Sequence, residues 1–443
     1  MQFLTPMSIK TTCEITDLLS PSLLGETVET TGAIHTIRRM GTIAFLILRK
    51  REGLLQCVYE EAQADFSLKD VKEADTVRVR GILSASPKAP EGIEIHLLHI
   101  EILSRAKEPM PVPIAKTKMN LSLETDLDLR PITLRNIRER ARFRIQEGVV
   151  RGFREFLTEQ GFTEIHTPKI VHAGAEGGSN IFRLDYFGRK AFLAQSPQFY
   201  KQTMVGVFER VFEVAPVFRA EKHSTARHLN EYTSLDFEMG FIDSFYDVME
   251  VEAGFLKYCM ELLAREYSED LKRLEAELPR VDRIPCVRFD EAKRLAAEKY
   301  GRPIRDPFDL EPEEEANIGR YFQEEYGADF VFVTHYPSKK RPFYAMDDPE
   351  DPCCTLSFDL LFRGMEVTTG GQRVHDYQAQ VAKMEARGMH PEEFRDFLTI
   401  HQHGMPPHGG LGIGLERLTM KLCGLENVRE ASLFPRDQSR LEP

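Results

Sequence analysis

From about Gly25 to Ser104, apolar and polar positions alternate in short runs, the period of half-buried strands. TVETTGAIHTI, TIAFLILRK, LLQCVYE, DTVRVRGILSAS and GIEIHLLHIEIL are rich in Val, Ile, Leu and Thr, and Gly41, Gly53 and Gly92 punctuate them. EEAQADFSLKDVKEA, between the third and fourth runs, predicts a short helix. Residues 105–132, with Pro109, Pro111, Pro113 and Pro131, read as a linker. From near Thr133 the period changes: Ile145, Val149, Phe153, Phe156 and Leu157 recur at helical spacing until Gly161.

FTEIHTPKIV, AFLAQSPQFY, RVFEVAPVFR and EYTSLDFEMGF then read as strands joined directly, the pattern of an antiparallel sheet rather than a doubly wound parallel one. The signal turns helical from Tyr246 to Gly327, as an insertion packed on the sheet. Strands return in DFVFVTHYP and CTLSFDLLFRGMEVTTGG, and HGGLGIGLERLTMKLCGL is a glycine-rich entry into a helix.

Composition restricts the class. With 443 residues, 42% hydrophobic and 29% charged, the chain has room for two or three globular domains and no disorder-like bias. MQFLTPMSIKTT lacks a basic region followed by an apolar core, and no run is apolar enough for a membrane span, so the expectation is a cytoplasmic enzyme. Seven cysteines without CxxC spacing indicate neither a disulfide framework nor a zinc site, and Cys353 and Cys354 read as core or strand residues. The net charge of −12 argues against indiscriminate nucleic-acid binding but leaves room for a local basic surface suited to one folded RNA. Five strands with a helix after the third is the order of an OB barrel, which commonly binds single-stranded nucleic acid; order alone leaves a packing-only barrel equally open.

Four passages carry candidate chemistry. FRAEKHSTARHLNEYTSLDFEM, residues 218–239, sets Arg219, Glu221, Arg227 and His228 on a loop between two strands. Guanidinium forks grip phosphate there if a pocket lies beneath, and alternation places Asp236 and Glu238 on one face; a charged surface hairpin fits the same residues. In FDLLFRGMEVTTGGQR, residues 358–373, a turn near Phe362–Gly364 makes Asp359 and Glu366 equidistant, so they are expected to face each other. Facing carboxylates suit Mg²⁺, with the Thr369 hydroxyl nearby, or are two solvated acids.

GGLGIGLERL, residues 409–418, allows close backbone approach and puts Arg417 in the first turn of a helix, without the Walker ending or a dinucleotide fingerprint. AEGGSNIF, with Glu176, suggests a lid, and AQSPQFYKQ offers Gln198 and Lys201 to a small polar ligand. His401, His403 and His408 have no further ligand spaced to join them and read as satisfied loop or active-site histidines.

Taken together and in order, these passages resemble a class II aminoacyl-tRNA synthetase, specifically the archaeal type of aspartyl-tRNA synthetase, over almost the whole chain. FTEIHTPKI is similar to motif 1, with Pro168 at a dimer interface; FRAEKHSTARHLNEYTSLDFEM resembles motif 2 and GLGIGLERL motif 3, while QSPQFYKQ and GGQR point to aspartate. The resemblance implies an α+β chain: an OB-fold anticodon-binding domain over residues 1–106, a linker or hinge over 107–132, and a catalytic domain over 133–443. That domain is expected to be an antiparallel β-sheet flanked by helices, with a helical insertion at about 246–327.

It implies a reaction as well. Aspartate attacks ATP to give aspartyl-adenylate and pyrophosphate, and the 3′ end of a tRNA then takes the aspartate. By resemblance Arg219, Glu366 and Arg417 are catalytic, Arg219 on the α-phosphate and substrate carboxylate, Arg417 on the γ-phosphate. ATP contacts extend to Ala220, Glu221, Arg227, His228, Leu229, Gly414, Leu415 and Glu416, and Mg²⁺ falls to Glu366, Thr369 and Asp359. Thr369 stands where the family has serine and keeps the hydroxyl. Lys201 and Arg373 grip the side-chain carboxylate, Glu176 and Asp236 the ammonium group, with Gln198, Phe199 and Tyr200 along the pocket. Asparaginyl relatives normally lack the lysine of YKQ.

In the barrel the resemblance gives Phe45 an anticodon base to stack on, Gln56 a base to hydrogen-bond and Arg38 the backbone. His35 and Pro90 stand where relatives restricted to aspartate tRNA tend to carry tryptophan and lysine, which implies relaxed specificity. The expected partners are tRNA(Asp), tRNA(Asn), L-aspartate, ATP, a second copy in a homodimer, and a downstream Asp-tRNA(Asn) amidotransferase. A discriminating aspartyl enzyme, an asparaginyl enzyme and a catalytically retired RNA-binding paralogue are the alternatives.

Overall fold

The computed structural model describes residues 13–172, 180–222 and 225–442. The chain divides into two compact units, Met1–Glu139 and Arg140–Pro443.

In the first unit five strands, β1 (Thr27–Met40), β2 (Ile43–Arg49), β3 (Leu54–Glu60), β4 (Thr76–Ala85) and β5 (Ile93–Ser104), close into a barrel in the order β1-β2-β3-β5-β4. Alternation decides which side chains fill it: Ala44, Leu46 and Leu48 point inward beside Leu55, Cys57, Val77 and Val79, while Phe45 and Ile47 are half-exposed outside. β1 carries one residue more than β2 at His35, a β-bulge between the pairs Ile34–Leu48 and Thr36–Ile47. The helix expected after β3 is only a 3₁₀ turn, Leu68–Asp70. Its buried anchors are Leu68 and Val71, and the Ser67 hydroxyl accepts the Lys69 amide, so turn chemistry prevails over helix. Residues read as linker contain the helices Leu123–Asp128 and Arg130–Thr133, where buried Arg130 donates to Asp126 at 2.7 Å.

The second unit is built on an eight-stranded sheet. Its strands are β6 (Thr163–Glu164), β10 (Arg210–Phe218), β11 (Glu231–Gly240), β12 (Cys286–Arg288), β13 (Phe330–Thr334), β14 (Ser357–Phe362), β15 (Met365–Gln372) and β16 (His408–Gly414), in the order β12-β13-β14-β15-β16-β11-β10-β6. The short strands β7 (Ile170–Val171), β8 (Arg183–Tyr186) and β9 (Arg189–Leu193) form a separate small sheet. The six central strands are antiparallel, whereas β12 pairs in parallel with β13 and β6 with β10, because helices separate each edge strand from its neighbour. The helical stretch 246–327 therefore contributes β12 to the sheet as well as its helices.

One sheet face is the core. Leu235, Phe237, Phe358, Leu360, Leu411 and Ile413 pack on helix Ile137–Glu159, through Ile145, Val149 and Phe153, and on helix Phe245–Glu266, through Phe255, Cys259 and Leu263. Ser244 and Asp247 close a capping box at the start of the second helix.

Two strand expectations fail for local reasons. Pro168 interrupts FTEIHTPKIV, leaving two-residue strands on either side. AFLAQSPQFY ends its strand at Leu193, and helix Gln198–Phe208 follows Pro197 with Gln198, Lys201, Gln202 and Val205 buried at helical spacing. Cys353 is exposed and Cys354 half-buried, both in the loop before β14 rather than in a core.

Candidate active site

The face of the sheet opposite the core carries a cavity of about 760 Å³. Register lays out its floor. Asp236 pairs with Gly412, Gly412 with Thr369, and Thr369 with Asp359, so four residues of β11, β16, β15 and β14 form one row across the strands. At the usual strand spacing its two acids stand about 14 Å apart, with a glycine and a hydroxyl between them.

The β14–β15 hairpin departs from expectation. Its turn is Arg363–Gly364, both at positive φ as a tight hairpin turn requires, so Asp359 faces Thr369 and Glu366 faces Leu361. Val367 is an extra residue between the pairs Leu360–Thr368 and Leu361–Glu366. That bulge puts Glu366 on the same face as Thr369, three positions on, and the Thr369 hydroxyl donates to Glu366 Oε1 at 3.3 Å. Asp359, Glu366 and Thr369 thus share a face, but not by direct opposition of the acids.

At the Asp236 end the helix Gln198–Phe208 aims Lys201 at the floor. Lys201 donates to Asp236 at 2.9 Å and to the Leu411 carbonyl at 2.8 Å, and lies 3.3 Å from Glu238. Arg373 donates to Glu238 through Nε at 2.8 Å and to the Gly410 carbonyl at 2.9 Å. Burial alone would raise the Glu238 carboxyl, but Arg373 and Lys201 outweigh it and hold it below the usual carboxylate range. Two buried cations are therefore fixed side by side by two buried acids, a preorganised receptor for a carboxylate.

At the other end arginines gather around Glu366. Arg417, from the first turn of helix Leu415–Leu422, donates to the Glu366 carbonyl at 3.1 Å and to the Arg227 carbonyl at 3.2 Å. Arg219 and Arg227, from the β10–β11 loop, line the same end. The surrounding protein would raise Glu366, yet Arg417, Arg341, Arg219 and Arg227 outweigh it and keep it low. Asp359 is pushed up to about 6 by burial, against the pull of Arg341, with the Glu366 charge adding to the rise. His228 is pushed down by burial and by Arg417, and its Nδ1 lies 2.6 Å from the Thr225 hydroxyl.

Of the expected site residues, Gln198, Lys201, Arg219, Glu221, Arg227, His228, Leu229, Asp236, Asp359, Glu366, Thr369, Arg373, Gly414, Glu416 and Arg417 line this one cavity. Four do not. Phe199 packs into an aromatic cluster with Phe343, Phe394 and Phe397, Tyr200 turns off the helix edge that carries Gln198 and Lys201, Ala220 ties its amide to Asn180, and Leu415 belongs to the core. Glu416 uses both carboxylate oxygens on the Thr233 amide at 3.0 Å. Glu176 lies outside the described residues.

Two contributors escape the sequence reading. Arg341 donates to Asp359 at 2.7 Å and stacks 3.9 Å over Tyr336; the basic run PSKKRPFYA after β13 is its signal. Glu315, on helix Pro312–Tyr326, pairs with Arg227 and accepts the Glu366 amide at 2.9 Å. Its signal is an acid one turn before Gly319, whose added Cβ would lie 2.4 Å from the Gly364 nitrogen, so the helix sits directly on the hairpin turn.

On the barrel, Arg38 is exposed and pairs with half-buried Phe45, while Gln56 pairs with Ile47 and donates to Glu94 at 2.7 Å. Pro90 opens a 3₁₀ turn between β4 and β5. His35, at the bulge, is buried rather than presented to solvent.

Comparison with known proteins agrees with this geometry. Residues 122–438 match the family described as tRNA synthetases class II (D, K and N), and residues 28–103 match the OB-fold nucleic acid binding domain. The aspartate–tRNA(Asp/Asn) ligase of Thermus thermophilus is 48% identical over 421 residues, covering 95% of this chain and 97% of that protein. The aspartate–tRNA(Asp) ligase of Pyrococcus horikoshii is 40% identical over 431 residues, covering 96% and 98%. Among solved structures, asparaginyl-tRNA synthetase from Pyrococcus horikoshii complexed with asparaginyl-adenylate aligns with a TM-score of 0.89 at 30% identity, over 98% of this chain and 100% of that chain.

Proposed function

The chain belongs to the class II tRNA synthetases of the aspartate, lysine and asparagine group, and from that premise we propose an aspartyl-tRNA synthetase that charges both tRNA(Asp) and tRNA(Asn). The observation that carries the amino-acid assignment is the pair Lys201 and Arg373, two fixed cations at one end of a floor whose other end is ringed by arginines. A side-chain carboxylate completes that pair; a neutral amide leaves it without its counter-charge.

In this reading Lys201 and Arg373 hold the β-carboxylate and Asp236 the ammonium group, which turns the α-carboxylate toward the nucleotide. Arg219 steadies the α-phosphate and the attacking carboxylate, and Arg227, His228 and Arg417 hold the outer phosphates. An α-carboxylate oxygen bonds to the α-phosphorus while the bond to the bridging oxygen breaks, and pyrophosphate leaves with that electron pair. The tRNA 3′-hydroxyl then attacks the adenylate carbonyl carbon and AMP departs. No protein nucleophile takes part; the protein contributes position and charge.

Among the described residues no three His, Cys, Asp or Glu side chains form a metal cluster. Two carboxylates and a hydroxyl on one face are nevertheless what Mg²⁺ needs when phosphates and water supply the remaining ligands, so Asp359, Glu366 and Thr369 fit it. Bound there with ATP, Mg²⁺ would neutralise phosphate charge.

For tRNA choice, Arg38, Phe45 and Gln56 are the barrel residues assigned to the anticodon, and Pro90 offers no side-chain donor for its third base. A homodimer, a cytoplasmic location and a partner amidotransferase for Asp-tRNA(Asn) complete the proposal. Two measurements test it. ATP–pyrophosphate exchange should depend on aspartate; dependence on asparagine alone overturns the pocket assignment. Purified tRNA(Asn) should accept labelled aspartate; charging at background leaves a discriminating enzyme.

A further inference from the structure

Three side chains run from the cavity wall into the protein as one hydrogen-bonded file. Gln198 Nε2 donates to Gln202 Oε1 at 3.0 Å, Gln202 Nε2 lies 2.9 Å from His408 Nε2, and His408 Nδ1 lies 2.9 Å from the Pro406 carbonyl oxygen. All three side chains are buried, so these partners, rather than bulk water, decide which way each amide points.

The polarity of the file is set at its far end. A carbonyl oxygen only accepts, so His408 Nδ1 carries a hydrogen. Glu238 and Arg373, the charged groups nearest the imidazole, are engaged with each other at 2.8 Å, and burial pushes His408 down to about 4. The ring is neutral and Nε2 is bare. A bare ring nitrogen accepts, so the Gln202 amide nitrogen must face it, and the Gln202 oxygen turns back to take a hydrogen from Gln198. What remains for the cavity is the Gln198 oxygen, which makes no hydrogen bond to any described residue. Lys201, one helical turn on, donates to Asp236 at 2.9 Å, which brings the Asp236 carboxylate to the same wall.

We propose that Gln202 and His408 are positioning residues: they turn the Gln198 amide so that its oxygen, not its NH₂, faces the α-ammonium group of bound aspartate. The proposal rests on reading the cavity as an aspartate site. A primary amide unconstrained at this position can present either end, and the wrong end sets donor against donor. The file removes that choice without any of its inner members touching the substrate.

The test is ATP–pyrophosphate exchange with the full-length enzyme and three substitutions. Gln202→Met keeps the volume and removes the acceptor. It is expected to raise the KM for aspartate by about tenfold, with the KM for ATP within about twofold of the unsubstituted enzyme. Gln202→Glu still accepts from Gln198, and His408→Gln still donates to Pro406 while accepting from Gln202; both should stay within about threefold for aspartate. An unchanged aspartate KM in Gln202→Met overturns the proposal, as does an equal loss in Gln202→Glu, or a parallel rise in the KM for ATP. If Gln202→Met does not fold, the comparison of His408→Gln with His408→Leu reads the same polarity. An unsubstituted enzyme that shows no aspartate-dependent exchange refutes instead the assignment of the cavity.

Discussion

Arg373 Nε donates to Glu238 Oε1 across 2.8 Å, and Gly410 is what lets that carboxylate lie where it does. A Cβ on Gly410 would stand 2.1 Å from Glu238 Oε2. Gly410→Ala must therefore displace Glu238 and loosen both Arg373 and Lys201. The expected result is an aspartate KM raised by about tenfold or more, with ATP binding little changed. Glu238→Ala removes one partner of a buried pair and should cost about 3–5 kcal/mol of stability, read as a lowered denaturation midpoint. A fully stable, fully active Gly410→Ala enzyme would show that the ion pair does not organise the pocket.

Glu315 holds two things at once, the Arg227 guanidinium and the Glu366 amide. Glu315→Ala should release Arg227 and slacken β15 next to the bulge. Steady-state exchange is expected to show a KM for ATP about tenfold higher, with the KM for aspartate nearly constant, because the change falls at the phosphate end of the floor. A matching rise in both constants would refute that division of labour.

Glu252 gives a pH signature to stability. It lies under the sheet, accepts the Thr368 hydroxyl at 2.6 Å, and its other oxygen is buried without a partner. Burial pushes its carboxyl up to about 8. In the unfolded chain the same group ionises in the ordinary carboxylate range, so between that range and about 8 the folded state binds more protons than the unfolded one. Stability from this group is full below the ordinary range and falls as pH rises, by up to about 1.4 kcal/mol per pH unit. Glu252→Gln should remove the slope. Denaturant titrations at acid and at mildly alkaline pH should find the variant gaining on the native protein at the higher pH, and a pH-independent difference would contradict this.

Pro90 is placed to test relaxed tRNA choice without touching the barrel core, since it sits in the turn between β4 and β5. Pro90→Lys supplies a donor and should lower charging of tRNA(Asn) relative to tRNA(Asp) by about tenfold, roughly one discriminating contact. Parallel charging curves for both tRNAs would show that this turn does not take part.

The parts of the fold legible in sequence are those governed by one local rule. Alternation in TIAFLILRK and EYTSLDFEMGF settles strands and their buried faces, and motif order places Arg219, Glu366 and Arg417 together. What stays hidden depends on registers and packing beyond the immediate segment. QSPQFYKQ has the apolar content of a strand, yet Pro197 and the spacing of its buried face make it a helix. The pairing of Asp359 with Thr369 follows from a two-residue turn and one extra residue, neither of which an acid-counting argument detects. Glu315 and Arg341 come from segments remote in sequence, and nothing local ties them to Glu366 or Asp359.

The extra residue at Val367 turns the chemistry of β15 into a matter of parity. An ordinary strand sends residues three apart to opposite sides, so a uniform β15 could show Glu366 or Thr369 to the cavity, never both. Shortening the strand by one residue would restore regular pairing and still read as a sound hairpin. Natural or engineered length variants in this stretch therefore divide into two kinds that stability measurements alone would not separate: those that preserve the odd count, and those that fold around a floor missing one of its oxygens.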